Sequence, residues 1–409
     1  MINIVNNFNK KISGEATEVV ERKGIGHPDT LADLIAETYS KIYSEFCLKR
    51  FGCILNHSSD KVLLSGAKVN VTFGKYKILK PITAYLFGKS TTNVGRYKID
   101  INEIFKQSVQ HVLFNVFKNK DIFKYVNYVI DINDGVGSEH AKVFYMPDNI
   151  QDLKKSREMY LSNDTVACCA YAGYSISEYL TIVLENYINS AAFKNNFPET
   201  GYDVKVLTVR NFTNTFDITI CIPFIAQKTK SLLFYKQRII ELKSVILDKA
   251  KKITKNNYVK LYINTKDEEI GAYLTVFGSA LDKGDFGVVG RGNRFNGVIS
   301  LNREMSIEAS SGKNPLHHAG KIYSLLSQDI ANDIYSKFKI ENYINIIAKN
   351  GHFLTDPAFI IVKFNNNSID SKIIDKIVTN RLKNIKSYPR RIIRMDPVKH
   401  FKSLRTFAL

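Results

Sequence analysis

The stretch DVKVLTVRNFTNTFDITICIPFIA, residues 203–226, reads as two short β-strands at 203–210 and 216–226, rich in β-branched residues. A long helical segment at 229–254 and a strand at 257–265 follow, which makes the order ββαβ. The same order stands earlier in the chain. Strands at 61–73 and 79–88 precede a helix at 101–118, with apolar Ile104, Phe105, Val112, Leu113 and Val116, and then a strand at 125–131. A third set has strands near 272–278 and 296–301, a helix at 318–339, and strands at 342–349 and 358–364. Further helices fall at 30–50, 175–194 and 369–386; the first has Asp29 or Thr30 as N-cap and Gly52 beyond its end. Three ββαβ units, with a spare helix for each, predict an α+β protein of three similar lobes, each a sheet covered by helices. The expected lobes are 1–150, 151–268 and 269–409, interleaved into one compact unit, because no Pro/Gly/Ser-rich linker divides the chain. The units are alike in pattern and not in sequence.

Composition narrows the function classes. The 409 residues are 44% hydrophobic and 24% charged, which suits a folded protein and argues against wholesale disorder. With 58 Lys+Arg against 39 Asp+Glu the formal charge is +19. That suits a nucleic-acid binder, a membrane-surface protein or an enzyme of polyanionic substrates. Lysine enrichment spread over the whole surface is the plainer reading. The basic residues are dispersed, the tightest run being PRRIIR at 389–394, and no RRM, KH or zinc-finger signature accompanies them. Nucleic acid is therefore not an expected partner. Nor is a membrane: no stretch approaches the ~20 apolar residues of a span, and the N-terminal MINIVNNFNKKISG lacks a signal-peptide apolar region. Five cysteines, odd in number and without metal-ligand spacing, point to free thiols in a reducing cytoplasm. No HExxH motif or Cys/His cluster suggests zinc.

Chemistry concentrates in a few segments. In GDFGVVGRGNR, 284–294, four glycines in nine positions can bring backbone N–H groups close to phosphate. There Asp285 can hold Mg²⁺, and Arg291 and Arg294 can grip phosphate oxygens; a glycine-rich turn with solvated arginines explains the same letters. The segment is neither GxGxxG nor, without HRD and VAIK, a kinase DFG. In EASSGKNP, 308–315, Lys313 stands just ahead of a helix, where charge and exposed N–H groups attract anions, although the Walker A pattern is missing. In ERKGIGHPD, 21–29, His27 can donate to a leaving phosphate and Asp29 can ligate Mg²⁺, or Asp29 simply caps the helix. A fourth cluster, GVGSEH at 135–140, reads as a turn or as a nucleotide loop. Together these segments describe a polyphosphate site without a nucleophile and its base. That absence fits chemistry in which the substrate is itself the nucleophile.

ERKGIGHPD (21–29), GRGNR (290–294) and SGKNP…GKIY (311–323) strongly resemble the archaeal-type S-adenosylmethionine synthetases. Weaker similarity covers DKVLLSG (60–66), FGK…LKPI (73–82), Asn163-Asp164-Thr165, Ser177-Glu178 and YLTVFGSA (273–280). The resemblance implies three α+β lobes around a pseudo-threefold axis and a homodimer joined through flat sheet faces, with active sites between subunits. It implies a cytoplasmic methionine adenosyltransferase acting on ATP and L-methionine. The thioether sulfur would attack C5′ and expel triphosphate, which is then hydrolysed to diphosphate and phosphate. By position, His27 would bond the leaving phosphate oxygen, Asp29 and Asp285 would hold Mg²⁺ (two ions in the family), and Arg291 and Lys313 would grip the triphosphate. Arg294 and Lys321 would assist, and Gly135, Gly137 and Ser138 match the family's nucleotide loop. The family also commonly uses K⁺, for which the sequence nominates no ligand.

The chain departs from the family's pattern in places. His140 stands where an acid is usual, Asn56-His57-Ser58 replaces His-His-Asn, and GDDG has become GDFG with Phe286. Lys75, Lys77 and Lys80 occupy a stretch usually rich in Gly and Glu, and VACCAYAGYSI at 166–176 adds about two residues to the family's pattern. The phosphate side is better kept than its surroundings. A divergent paralogue fits that asymmetry, one adenosylating another nucleophile, hydrolysing ATP or tripolyphosphate, or serving as an inactive partner subunit.

Overall fold

The longest helix shows how local chemistry sets the elements. His27 is the N-cap of helix α1 (Pro28–Phe51), Pro28 occupies its first turn, and the Gly52 N–H closes the other end on the Leu48 carbonyl with φ 71°. Among the described residues, the other helices of ten residues or more are α2 (Ile101–Phe117), α3 (Ile176–Ile188), α4 (Leu232–Ile253), α5 (Ala319–Phe338) and α6 (Ser371–Lys383). The structure is a computed structural model and describes residues 2–6, 12–134, 145–149, 151, 161–213, 215–255, 257–267, 271–316 and 318–403. Among the described residues, no helix is long and apolar enough to cross a membrane.

Three sheets, each covered by helices, give the expected three-lobed α+β class. In the first sheet Phe286–Val288, His57–Ser65 and Ile82–Ser90 run antiparallel, and Val126–Asn133 returns parallel to Ile82–Ser90 after α2. In the second, Glu18–Lys23, Lys205–Arg210 and Phe216–Cys221 run antiparallel, and Val259–Ile263 returns parallel after α4. In the third, Ala167–Ala172, Asn342–Ile347 and Phe359–Phe364 run antiparallel, and the parallel fourth strand is Ile2–Asn6. Each sheet owns its own apolar core. Val62, Leu64, Ala84 and Leu86 meet α1 and α2 in the first, Val206, Ile218 and Ile220 meet α3 and α4 in the second, and Ile344, Ile346 and Val362 meet α5 and α6 in the third.

The lobes are stitched by exchange. Glu18–Lys23 lies in the second sheet, yet the helix it leads into, α1, covers the first. Ala167–Ala172 lies in the third sheet and leads to α3 on the second, while Phe286–Val288 lies in the first and leads to α5 on the third. One such strand-to-helix junction therefore crosses each lobe boundary, and all three sequence motifs sit at or beside these crossings.

The third ββαβ set differs from the sequence expectation. Residues 272–278 and 296–301 form only two-residue strands, Leu274–Thr275 beside Phe224–Ile225 and Ile299–Ser300 at the edge of the second sheet. The set is instead Asn342–Ile347, Phe359–Phe364, α6 and, from the other end of the chain, Ile2–Asn6. Glycines interrupt any long ladder through 271–297, and local periodicity carries no signal for a partner at the far end of the chain.

Candidate active site

The loop from Lys23 into α1 presses against the chain at 202–204. A Cβ on Gly26 would lie 2.7 Å from the Tyr202 carbonyl carbon, so only glycine permits this approach. The Gly26 N–H donates to the Tyr202 carbonyl (3.1 Å), and its carbonyl accepts from the Ser279 hydroxyl (2.7 Å). His27 is thereby fixed with its Nδ1 accepting the Asp29 N–H at 3.1 Å. An accepting Nδ1 places the imidazole proton on Nε2. Burial pushes the His27 pKa well below the usual histidine value, Lys23 and Lys205 add to that effect, and Asp29 opposes it. His27 is thus a neutral N–H donor, not a cation.

Asp29 sits one turn into the charge cluster. Its Oδ1 accepts the Val288 N–H at 3.0 Å and its Oδ2 pairs with the Lys23 ammonium at 2.9 Å. Burial works against its charge, but Lys23 and the Val288 N–H outweigh burial and hold the carboxyl below the usual aspartate value. Lys23 also donates to the Arg291 carbonyl, and the Arg291 guanidinium reaches Asp29 at 4.0 Å while remaining 73% exposed. Arg294 points the other way along the loop and donates to the Gly290 and Gly292 carbonyls at 3.3 and 3.4 Å.

A second cluster lies along α1. Lys313 is buried between Asp60 (3.1 Å) and Glu308 (2.9 Å). Burial opposes its charge, yet these two carboxylates outweigh it and hold the lysine above its usual pKa. Asp60 is lowered in turn despite burial, with Lys61, the Ser58 hydroxyl and Lys313 around it. Lys321, also buried, pairs with Glu37 of α1, and burial lowers its pKa. The peptide leading into Lys313 is clamped: the Gly312 N–H donates to Glu37 (3.0 Å), and the Gly312 carbonyl accepts from the Ser59 N–H and hydroxyl (2.9 and 2.8 Å).

Of the sequence-predicted residues, His27, Asp29 and Arg291 come together at the start of α1, and Lys313 and Lys321 gather one to three turns along the same helix. Arg294 lies behind the Arg291 loop. Asp285 stands apart from these contacts, exposed, with its carboxylate accepting the N–H of its neighbour Phe286 at 2.8 Å. Gly135, Gly137 and Ser138 lie outside the described residues. The sequence reading passed over Lys23, Asp33, Glu37 and Asp203. Asp29, Asp33 and Glu37 recur every four residues, a helical spacing that stacks them on one face and was open to notice. Asp203 gave no local signal; it is buried beside the Ala280 N–H (2.9 Å), and burial pushes its pKa up to about 7.

Among the described residues, no three His, Cys, Asp or Glu side chains gather to cage a metal. The donor set still suits Mg²⁺, which commonly takes one or two carboxylates and completes its shell with substrate phosphates and water. Asp29 is an ionised carboxylate beside cationic groups, and Asp285 is free toward solvent on one oxygen. The described residues single out no donor set for K⁺.

The sequence profile of the family described as S-adenosylmethionine synthetase (AdoMet synthetase) matches residues 1–396. The S-adenosylmethionine synthase of Pyrococcus furiosus is 36% identical over 348 residues, 84% of each chain. That of Pyrobaculum aerophilum is 37% identical over 360 residues, 86% of this chain and 87% of the other. That of Saccharolobus solfataricus is 34% identical over 383 residues, 92% of each. Among solved structures, one described as an unusual S-adenosylmethionine synthetase from Campylobacter jejuni superposes with a TM-score of 0.54 at 15% identity, covering 95% of this chain and all of that one. At that identity the likeness speaks to the fold.

Proposed function

The chain belongs to the S-adenosylmethionine synthetase family of adenosyl-transferring enzymes, and on that premise we propose that it joins ATP and L-methionine into S-adenosylmethionine. The methionine sulfur attacks C5′ of the ribose, the C5′–O bond breaks, and triphosphate leaves with the bonding electrons. A neutral thioether carries no proton to remove, so the step needs no general base. Its barrier falls by alignment of sulfur with C5′ and by stabilising charge on the departing oxygen. Water then cleaves the triphosphate to diphosphate and phosphate.

The observation that carries this reading is the state of His27. With Nδ1 engaged by the Asp29 N–H and the ring neutral, Nε2–H is the donor available to the leaving oxygen. Arg291, open to solvent, and Lys313, held at rest by two carboxylates, grip the triphosphate, with Arg294 and Lys321 behind them. Asp29 and Asp285 would hold Mg²⁺, which would supply neutralisation of phosphate charge.

The same reading makes the outer face of the first sheet the contact with a second copy. Val288, Leu63, Tyr85 and Val129 stand opposite one another across its four strands, and Phe286 and Phe87 extend the apolar row. Active sites then form between subunits, in the reducing cytoplasm that an odd number of cysteines favours. Phe286, 57% exposed where the family carries an acid, favours a second reading in which another nucleophile takes the adenosyl group.

Incubation with ATP, Mg²⁺ and methionine, followed by mass spectrometry and phosphate analysis, is expected to show the sulfonium together with phosphate and diphosphate. Protein that binds ATP and yields no sulfonium with methionine overturns the proposal. A product formed from another thioether then selects the second reading.

A further inference from the structure

We infer that Asp33 and Glu37 are positioning residues that hold the two triphosphate-gripping segments onto α1, an inference that rests on the triphosphate binding at Arg291 and Lys313. Asp29, Asp33 and Glu37 occupy i, i+4 and i+8 of one helix, so their carboxylates rise along one face in steps of about 6 Å. Each takes a backbone N–H from the facing segments in the same order. Asp29 takes Val288 (3.0 Å), Asp33 takes Gly290 (2.8 Å) and Glu37 takes Gly312 (3.0 Å).

The geometry explains where the cations point. Asp33 holds Gly290, and its other oxygen lies where a Cβ on Gly292 would stand, 2.1 Å away. The Gly292 N–H and the Ser311 hydroxyl also favour its charged form. With Gly290 and Gly292 both drawn to α1, the residue between them, Arg291, projects outward. Asp33, Gly290, Asn293 and Arg294 also line a cavity of about 270 Å³. The loop therefore borders open space, and the Asp33 carboxylate ties its Gly290 N–H to α1. Glu37 acts likewise one turn on. It clamps the peptide before Lys313 and pairs with Lys321, while the Ser40 hydroxyl, on the same helix, donates to the Lys313 carbonyl at 3.2 Å. Burial raises the Asp33 carboxyl to about 7, so the restraint sets less than a full negative charge behind the phosphates at neutral pH.

The test measures tripolyphosphate affinity by calorimetry and steady-state constants for methionine on the full chain. Asp33→Ala should weaken tripolyphosphate by about 10- to 30-fold, the loss of one charge-assisted hydrogen bond, with the methionine KM within about twofold. Asp33→Asn, which keeps an acceptor for Gly290, should restore most of the affinity. Gly292→Ala should impose the same tripolyphosphate-specific loss from the opposite side, and should cost little more when combined with Asp33→Ala, because the methyl then meets no carboxylate. Gly292→Ala keeps the question answerable if Asp33→Ala fails to fold. Wild-type-like tripolyphosphate binding in either single variant, equal losses for both ligands, or additive losses in the double variant would overturn the inference. A wild-type chain that binds no tripolyphosphate defeats the functional reading as well, so the two failures are distinguishable.

Discussion

Two arrangements of charge in this molecule are built to opposite ends. Between the second and third lobes, Arg303 is 1% exposed and gives its N–H groups to Glu178 (2.9 and 2.6 Å), Glu341 and the Tyr343 hydroxyl (2.7 Å each) and the Gly173 carbonyl (3.0 Å). Its guanidinium also lies over the Tyr171 ring at 4.2 Å. Every one of its five N–H donors has a fixed partner. At α1, by contrast, Arg291 is largely exposed with a single distant carboxylate, and Lys313, itself buried, rests on two carboxylates of which Glu308 is partly open to solvent. A cation with every donor committed is scaffold. A cation whose partners phosphate oxygens can replace is machinery.

The largest effect that tests this contrast is on stability. Arg303→Met should cost about 3–5 kcal/mol, because Glu178 and Glu341 lose their partner in a buried setting. Urea unfolding should show it, while kcat per folded molecule stays near wild type. A comparable loss of kcat at full occupancy of the folded state would erase the distinction.

Lys313→Ala should show the reverse. Asp60 keeps Lys61 and the Ser58 hydroxyl, so the fold survives. Turnover should fall by about 10²- to 10³-fold, the usual loss for a group that stabilises transition-state charge. An unchanged rate of triphosphate release would remove Lys313 from the site.

The smallest effect sharpens the comparison through pH. Asp33 ionises near 7 in the folded chain against 3.8 for the ordinary carboxyl. The folded state therefore holds the extra proton between those values, and the Asp33 contribution to stability declines as pH rises through that window. Asp33→Asn has no such decline, so its melting temperature minus that of wild type should climb from pH 5 to pH 8. His27 works in the other direction, losing stability as pH falls below the unfolded histidine value, but it is common to both proteins and cancels. A difference flat with pH would mean that the Asp33 carboxyl is not raised.

Local pattern carried the secondary structure well where an element is its own context. The helix at 229–254 and the strand pairs ahead of it follow from spacing alone, as does the Gly52 end of α1, whereas its N-cap is His27 and not the expected Asp29 or Thr30, because Pro28 already opens the first turn. It misled over 272–301, where apolar residues lie between glycines that serve close approach and not a ladder. At the candidate site, the motif residues His27, Asp29, Arg291 and Lys313 stand out in the sequence because unusual residues stand together in the chain. For Asp33 and Glu37 the shared helix face was readable from their spacing but their partners were not, since a carboxylate on a helix face looks the same whether it meets water or a backbone N–H more than 250 residues away.

Most of the helices and strands, the three-lobed α+β class and the family were readable from the sequence alone, because capping, periodicity and rare motifs are short-range or matched residue by residue. It took the tertiary structure to show that strand Ile2–Asn6 closes the third sheet and that GDFGVVGRGNR and EASSGKNP meet one face of α1, the helix that ERKGIGHPD begins. Those outcomes depend on which unpaired strand edge and which buried N–H finds a partner across the chain, and such pairing is settled by the packed whole.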